Sequence, residues 1–140
     1  MPLIYRSMRA DGGKPVVECS ATALGVRVPP SERADLPVDS DGTVCPKTGG
    51  MSVAPAWRYL PLWRISRRLR GKVEGATGRL DVFCWRMGSG PFVPERVATG
   101  LLLRLDSEKH GIVEPDGPMQ LSEYQGALSA TRDQWVVDEE

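Results

Sequence analysis

The sequence predicts an α+β fold, built of short antiparallel strands with one helix near the C-terminal end. Three observations predict it. Glycine (15) and proline (12) interrupt the 140 residues often, and they are dispersed. That suits many short strands joined by turns rather than a disordered tract. Several short runs alternate apolar and polar residues, the period of a strand. Near the C-terminus one longer stretch repeats its apolar residues at helical spacing. The length fits a single domain over residues 1–140 and is enough to bury a core.

Taken in order, Leu3–Met8 reads as the first strand, with Ile4, Arg6 and Met8 on one face. A short strand is expected over Val26–Val28, stopped by Pro29-Pro30. Val38 and Val44 flank Asp41-Gly42, a turn-forming pair typical of hairpins. Met51-Ser52-Val53 follows Gly49-Gly50 as a further strand. Residues 55–75 carry Trp57, Leu60, Trp63 and Leu69 at loosely helical spacing, but Pro61 and Gly71 limit them to a loop with one short helix. Val82–Met87 reads as a strand with Phe83, Trp85 and Met87 together. Leu101–Asp106 aligns Leu101, Leu103 and Leu105, and Gly111–Glu114 is a last strand ended by Pro115. The helix runs from Leu121 to about Val136, with Leu121, Tyr124, Leu128 and Trp135 on one stripe. Ser122 and Gln125 fit a capping box at its start.

Lys+Arg and Asp+Glu are both 18, so no global charge draws the chain to nucleic acid or an anionic membrane. The charge is uneven, though. Between Met51 and Val73 stand Arg58, Arg64, Arg67, Arg68, Arg70 and Lys72 with no acid. Three cysteines, Cys19, Cys45 and Cys84, make a poor disulfide framework and suit a reducing compartment. With His110 they formally reach four zinc ligands, but no metal-knuckle spacing supports a site, and no metal is expected. Met1–Arg9 lacks the pattern of a signal peptide, and no apolar run approaches membrane-spanning length. The expected location is the cytoplasm of the cell that makes the protein.

Motifs for a P-loop, a nucleophile elbow or a zinc protease are missing, and the lone histidine excludes two-histidine mechanisms. Three places carry potential chemistry. The first is Tyr5-Arg6, where a guanidinium interrupts an apolar strand face and is costly unless it meets an anion. The alternative is an ordinary salt bridge or a place at a sheet edge. The second is Thr48–Val53, where Gly50 and Ser52 share a face with little bulk, so that another group can approach a hydroxyl closely. A β-bulge or tight strand packing is the alternative. The third is His110–Pro115. His110 and Glu114 share a strand face at a separation of roughly 13 Å, too long for a dyad but suited to the two ends of a long ligand. Two unrelated surface groups are the alternative.

The stretches Leu3–Arg6, Asp41–Val53 and His110–Pro115, the last with Pro118-Met119 and the run to Trp135, resemble a family of type VI secretion toxins with an ADP-ribosyltransferase-like fold. The resemblance covers half the chain, and Asp41–Val53 is its most specific part. It implies short antiparallel strands around a central cleft with a C-terminal helix. It also implies NAD as substrate, delivery into a neighbouring cell, and a cognate immunity protein as partner. On this resemblance Tyr5, Arg6, Gly49 and Gly50 bind NAD, Arg6 holding its phosphates or ribose. Ser52 stands beside nicotinamide, and His110 positions the cofactor or activates an acceptor.

Nicotinamide departs neutral from a cationic ring, so the burden falls on an oxocarbenium-like ribose. Glu114 is the candidate carboxylate to stabilise it. Arg6→Ala is expected to abolish NAD binding with the fold intact. Some family members carry threonine where this chain has Met51, and the basic segment has no match. Two alternatives follow: a non-catalytic interaction domain, or a nucleic-acid-binding module that uses residues 57–72, where arginines interleave with aromatics.

Overall fold

In the computed structural model, which describes residues 1–140, eleven strands and one α-helix are joined by tight turns. The first five strands are β1 (Ile4–Met8), β2 (Ala10–Asp11), β3 (Lys14–Pro15), β4 (Thr43–Val44) and β5 (Met51–Val53). Three 3-10 turns follow, Trp57–Tyr59, Leu62–Arg64 and Arg67–Lys72. Then come β6 (Phe83–Met87), β7 (Arg96–Ala98), β8 (Leu101–Ser107), β9 (His110–Pro115) and β10 (Met119–Gln120). Helix α1 (Leu121–Ser129), a 3-10 turn Arg132–Gln134 and β11 (Val136–Val137) complete the chain.

Two antiparallel sheets position the site. One has the order β1-β6-β11, the other β5-β9-β8-β7. This mixture of antiparallel sheets with a single C-terminal helix is an α+β fold. Side chains alternate across β1 and β6, so each strand feeds two cores. Ile4, Met8, Trp85 and Met87 join a core of 17 buried residues with Leu101, Leu103, Val113, Tyr124 and Leu128. Tyr5 and Cys84 point the other way, into a smaller core of six closed by Ala54, Leu60, Ile65 and Leu69.

Several expected elements differ. Residues 55–75 form three 3-10 turns. Their buried apolar residues are Leu60 and Ile65, which close the first two turns, and Leu69 in the third, while Trp63 is exposed. Val26–Val28 joins no sheet. Val26 is fully buried, but the Arg27 N–H is taken by the Asp35 carboxylate at 2.7 Å, and the Arg27 carbonyl accepts the Asp35 N–H at 2.8 Å. Asp41-Gly42 does turn the chain, with the Asp39 N–H bonded to the Thr43 carbonyl, but β4 then pairs with β10 rather than with the Val38 segment.

The helix ends at Ser129, well before Val136. Thr131 stops it: its hydroxyl donates to the Leu128 carbonyl at 2.7 Å and accepts the Trp135 indole N–H at 2.9 Å. Trp135 is therefore buried in the main core from outside the helix. The capping box does not form either. Gln120 is the cap residue, without a side-chain bond, and the Gly42 carbonyl accepts the Leu121 N–H at 2.9 Å. No helix is long and apolar enough to cross a membrane.

Candidate active site

The cleft arises from two sheet edges. β1 ends one sheet and β5 ends the other, and an edge strand carries peptide groups that lack a ladder partner. The edges meet once. The Tyr5 N–H donates to the Ala54 carbonyl at 2.8 Å, and the Ala54 N–H donates back at 3.0 Å. Beyond that pair a side chain replaces the ladder: Arg6 Nη1 donates to the Ser52 carbonyl at 2.8 Å. Peptide groups of alternate residues point the same way, so those of Ser7 face the side that Tyr5 faces. The buried Ser7 hydroxyl has no hydrogen-bond partner. The resulting opening, about 70 Å³, is lined by Arg6, Ser7, Ala21, Ser52, Val53, Leu60, Pro61, Arg64 and His110. That is well short of the roughly 300–1,000 Å³ of a pocket that encloses a whole ligand, so the opening takes one end of a longer molecule at most.

Arg6 forms the floor and is only 4% exposed. Besides Ser52, its guanidinium donates to the carbonyls of Ala23 at 3.0 Å and of Ser20 and Gly25 at 3.2 Å each. Four of its five N–H groups are thus committed to backbone oxygens, and one is left for the cleft. Burial lowers its pKa to about 10, a shift that Asp35 partly opposes, so it remains a cation at neutral pH. The charge meets carbonyls rather than an anion. It also ties the 20–25 loop to both sheet edges, so Arg6→Ala is expected to cost stability as well as any contact with a ligand.

At the mouth, His110 Nδ1 lies 2.7 Å from both carboxylate oxygens of Asp106. The β8–β9 hairpin makes this contact, since Ser107 pairs with His110 across it and the register slips between Leu105 and Ser107. A carboxylate at Nδ1 selects the tautomer with Nδ1–H and leaves Nε2 as an acceptor without a protein partner. Arg64, from the basic segment, also lines the cleft; it is half-buried, and its guanidinium has no hydrogen-bond or ion-pair partner. Burial lowers its pKa, assisted by the neighbouring charges of Arg27, Arg79 and Arg33.

Arg6, Ser52 and His110, from three remote stretches of sequence, therefore line one cleft. The other expected site residues do not. Glu114 is buried behind the sheet, where it accepts the Lys47 N–H at 2.6 Å and Arg104 Nε at 3.1 Å. Lys47 has a left-handed backbone (φ 66°), which this carboxylate holds in place. The Tyr5 hydroxyl donates to Asp138 at 2.9 Å on the far face. Gly49 and Gly50 serve packing. A Cβ on Gly49 would strike the Asp35 carbonyl, and one on Gly50 would strike the Val113 carbonyl and the Tyr124 hydroxyl. Met51 lies in the main core with its N–H on the Tyr124 hydroxyl at 3.1 Å, so its side chain removes nothing from the cleft wall.

Sequence reasoning missed Asp106, Ser7, Ala21 and Arg64. Asp106 was hidden by an irregularity: a hairpin turning at Glu108-Lys109 pairs Ser107 with His110, and only the register slip before Ser107 brings Asp106 onto the imidazole. Arg64 left no local signal, because only the tertiary fold turns it from one more exposed arginine into a cleft wall.

The model of a family described as Tse2 ADP-ribosyltransferase toxin matches residues 4–135 of the chain. No curated protein matches it.

Proposed function

Because the chain belongs to the Tse2 ADP-ribosyltransferase toxin family, we propose that its cleft takes NAD by the nicotinamide–ribose end and cleaves the bond between them. The observation that carries this reading is that His110, held by Asp106, shares one cleft with Arg6 and Ser52. The orphaned Ser7 hydroxyl and the Ser7 peptide groups suit the carboxamide of nicotinamide, which has both donors and an acceptor. The Ser52 hydroxyl orients the ribose. The free N–H of Arg6 and the unpaired Arg64 carry the positive charge that the NAD phosphates require.

The C1′–N bond breaks with both electrons going to nicotinamide, which leaves neutral. An acceptor oxygen or nitrogen, or water, supplies the pair that forms the new bond at C1′. Its proton passes to His110 Nε2 and then to solvent. Asp106 holds the imidazole and stabilises the imidazolium. Glu114 has a scaffold role in this reading, which fixes the β8–β9 register through Arg104. The protein acts as a toxin made in the cytoplasm, delivered to a target cell and neutralised in its producer by an immunity protein.

Purified protein incubated with NAD and a cell lysate should release nicotinamide and label a macromolecule. His110→Ala should lower the rate by about 10²–10⁴-fold with an unchanged melting temperature. Asp106→Asn should lower it less and shift the pH profile of kcat. Wild-type protein that releases no nicotinamide, or a His110→Ala variant with full rate, would overturn the reading.

A further inference from the structure

A second groove opens from the cleft and shares Ala21 and Arg64 with it. Its other walls include Arg27, Arg33, Arg79 and Trp63. Four guanidinium groups thus converge from three segments: the loop after β3, the 3-10 turn Leu62–Arg64, and the chain before β6. Their charges do not all cancel. Arg27 pairs with Asp35 at 2.9 Å and Arg79 with Asp81. The one carboxylate in the groove wall, Glu18, is taken by Arg9 at 2.6 Å. Arg33 and Arg64 have no carboxylate within ion-pair distance, and Asp35, already paired with Arg27, offsets the charge around Arg64 only in part. The lowered pKa of Arg64, caused by burial first and also by Arg27, Arg79 and Arg33, reflects the same crowding.

Trp63 is 63% exposed, although a large apolar ring on a surface has good reason to be covered. The turn that carries it buries Leu60 and Ile65 on either side and thereby holds the indole outward. A cation pair beside a presented indole is the pairing that binds a phosphate together with a base: guanidinium forks take the phosphate oxygens and the ring stacks on the base.

We propose that this groove is a nucleotide subsite, with Arg33 and Arg64 on the phosphates and Trp63 under the base. Two sources can supply that chemistry: the ADP half of the NAD whose other end fills the cleft, or a nucleotide of a polynucleotide acceptor at the cleft mouth. The NAD source rests on the reading of the cleft given above, but the groove itself does not.

The probe is ADP, titrated calorimetrically into the full chain, with Trp63→Ala and Arg33→Ala as variants. Both side chains are exposed and lie outside the cleft, so the variants should melt like wild type. ADP should bind, and each variant should weaken it at least about tenfold, within the range for a lost stacking or charged contact. Steady-state kinetics then separate the sources. If the nucleotide is the ADP half of NAD, Trp63→Ala raises KM for NAD and leaves nicotinamide release from nicotinamide mononucleotide unchanged. If it belongs to the acceptor, a short single-stranded oligonucleotide displaces ADP and Trp63→Ala leaves KM for NAD alone. Absent ADP binding, or binding indifferent to both variants, overturns the groove while wild-type nicotinamide release keeps the cleft. ADP binding without nicotinamide release keeps the groove and removes the cleft reading.

Discussion

Arg6 is a buried charge whose counter-charge is made of carbonyl dipoles, and this makes it a structural keystone before it is a ligand contact. Removing the side chain relieves a desolvated cation but leaves four carbonyls without donors. Each costs about 1–3 kcal/mol when buried and unpaired. Arg6→Ala should therefore lower unfolding stability by about 3–5 kcal/mol, seen as a reduced urea midpoint, and Arg6→Met should do no better because it supplies no donor. An unaltered midpoint would contradict this account. The tyrosines give a second test. Burial first, then the hydrogen bond to Asp138, raises the Tyr5 pKa from 10 to about 12, and burial pushes Tyr124 up as well. A hydrogen bond and the charge of Arg58 lower exposed Tyr59. The folded state keeps the Tyr5 proton where the unfolded chain releases it. Stability from this group is complete below pH 10 and falls as pH rises towards 12. Phenolate absorbance should show one tyrosine titrating early and two only at higher pH, and Tyr5→Phe should flatten the alkaline loss of stability.

At the scale of elements, the cleft wall depends on the end of the chain. β11 pairs with β6, and the Asp138 N–H then donates to the Cys84 carbonyl at 2.8 Å. Asp138 also holds the Tyr5 hydroxyl and Arg86. The buried Glu139 carboxylate accepts from the Cys84 N–H, the Ser66 hydroxyl and Arg68. These bonds clamp the start of the Arg67–Lys72 turn, and that turn supports the Leu60–Arg64 wall. Deleting residues 136–140 should make trypsin cut after Arg67, Arg68 and Arg70 at least about tenfold faster, because cleavage tracks the population of the opened segment. Equal cleavage rates would show that the clamp holds nothing. None of this was legible in the acidic tail. The long alternating strands were legible, since their apolar faces carry the period on their own. The two-residue strands were not, because pairs such as β4–β10 hold through partners remote in sequence. The helix was read too far because Trp135 fits its stripe, while the Thr131 hydroxyl that ends it looks like any polar residue. Within the site, Arg6, Ser52 and His110 were found because each breaks a local pattern. Tyr5, Gly49, Gly50 and Glu114 break patterns too, but for packing and register.

For the whole molecule, the question is whether two cores make one cooperative unit. β1 and β6 form a shared wall, with Ile4, Met8, Trp85 and Met87 facing the large core and Tyr5 and Cys84 the small one. The small core has six buried residues, too few to order a long run of 3-10 turns without the sheet beneath it. Its segment should therefore unfold with the β1–β6 pair rather than ahead of it. The Cys84 thiol reports on this. It is fully buried, and burial, then the charges of Glu139 and Asp138, hold its pKa far above the usual thiol range. Labelling of Cys84, followed by mass spectrometry across a urea gradient, should rise at the same midpoint at which far-ultraviolet circular dichroism is lost. Cys84 labelled at urea concentrations where the dichroism is still native would mean that the 57–72 segment opens as its own unit. The cleft wall would then be a moving part, and the chain would not be a single cooperative domain.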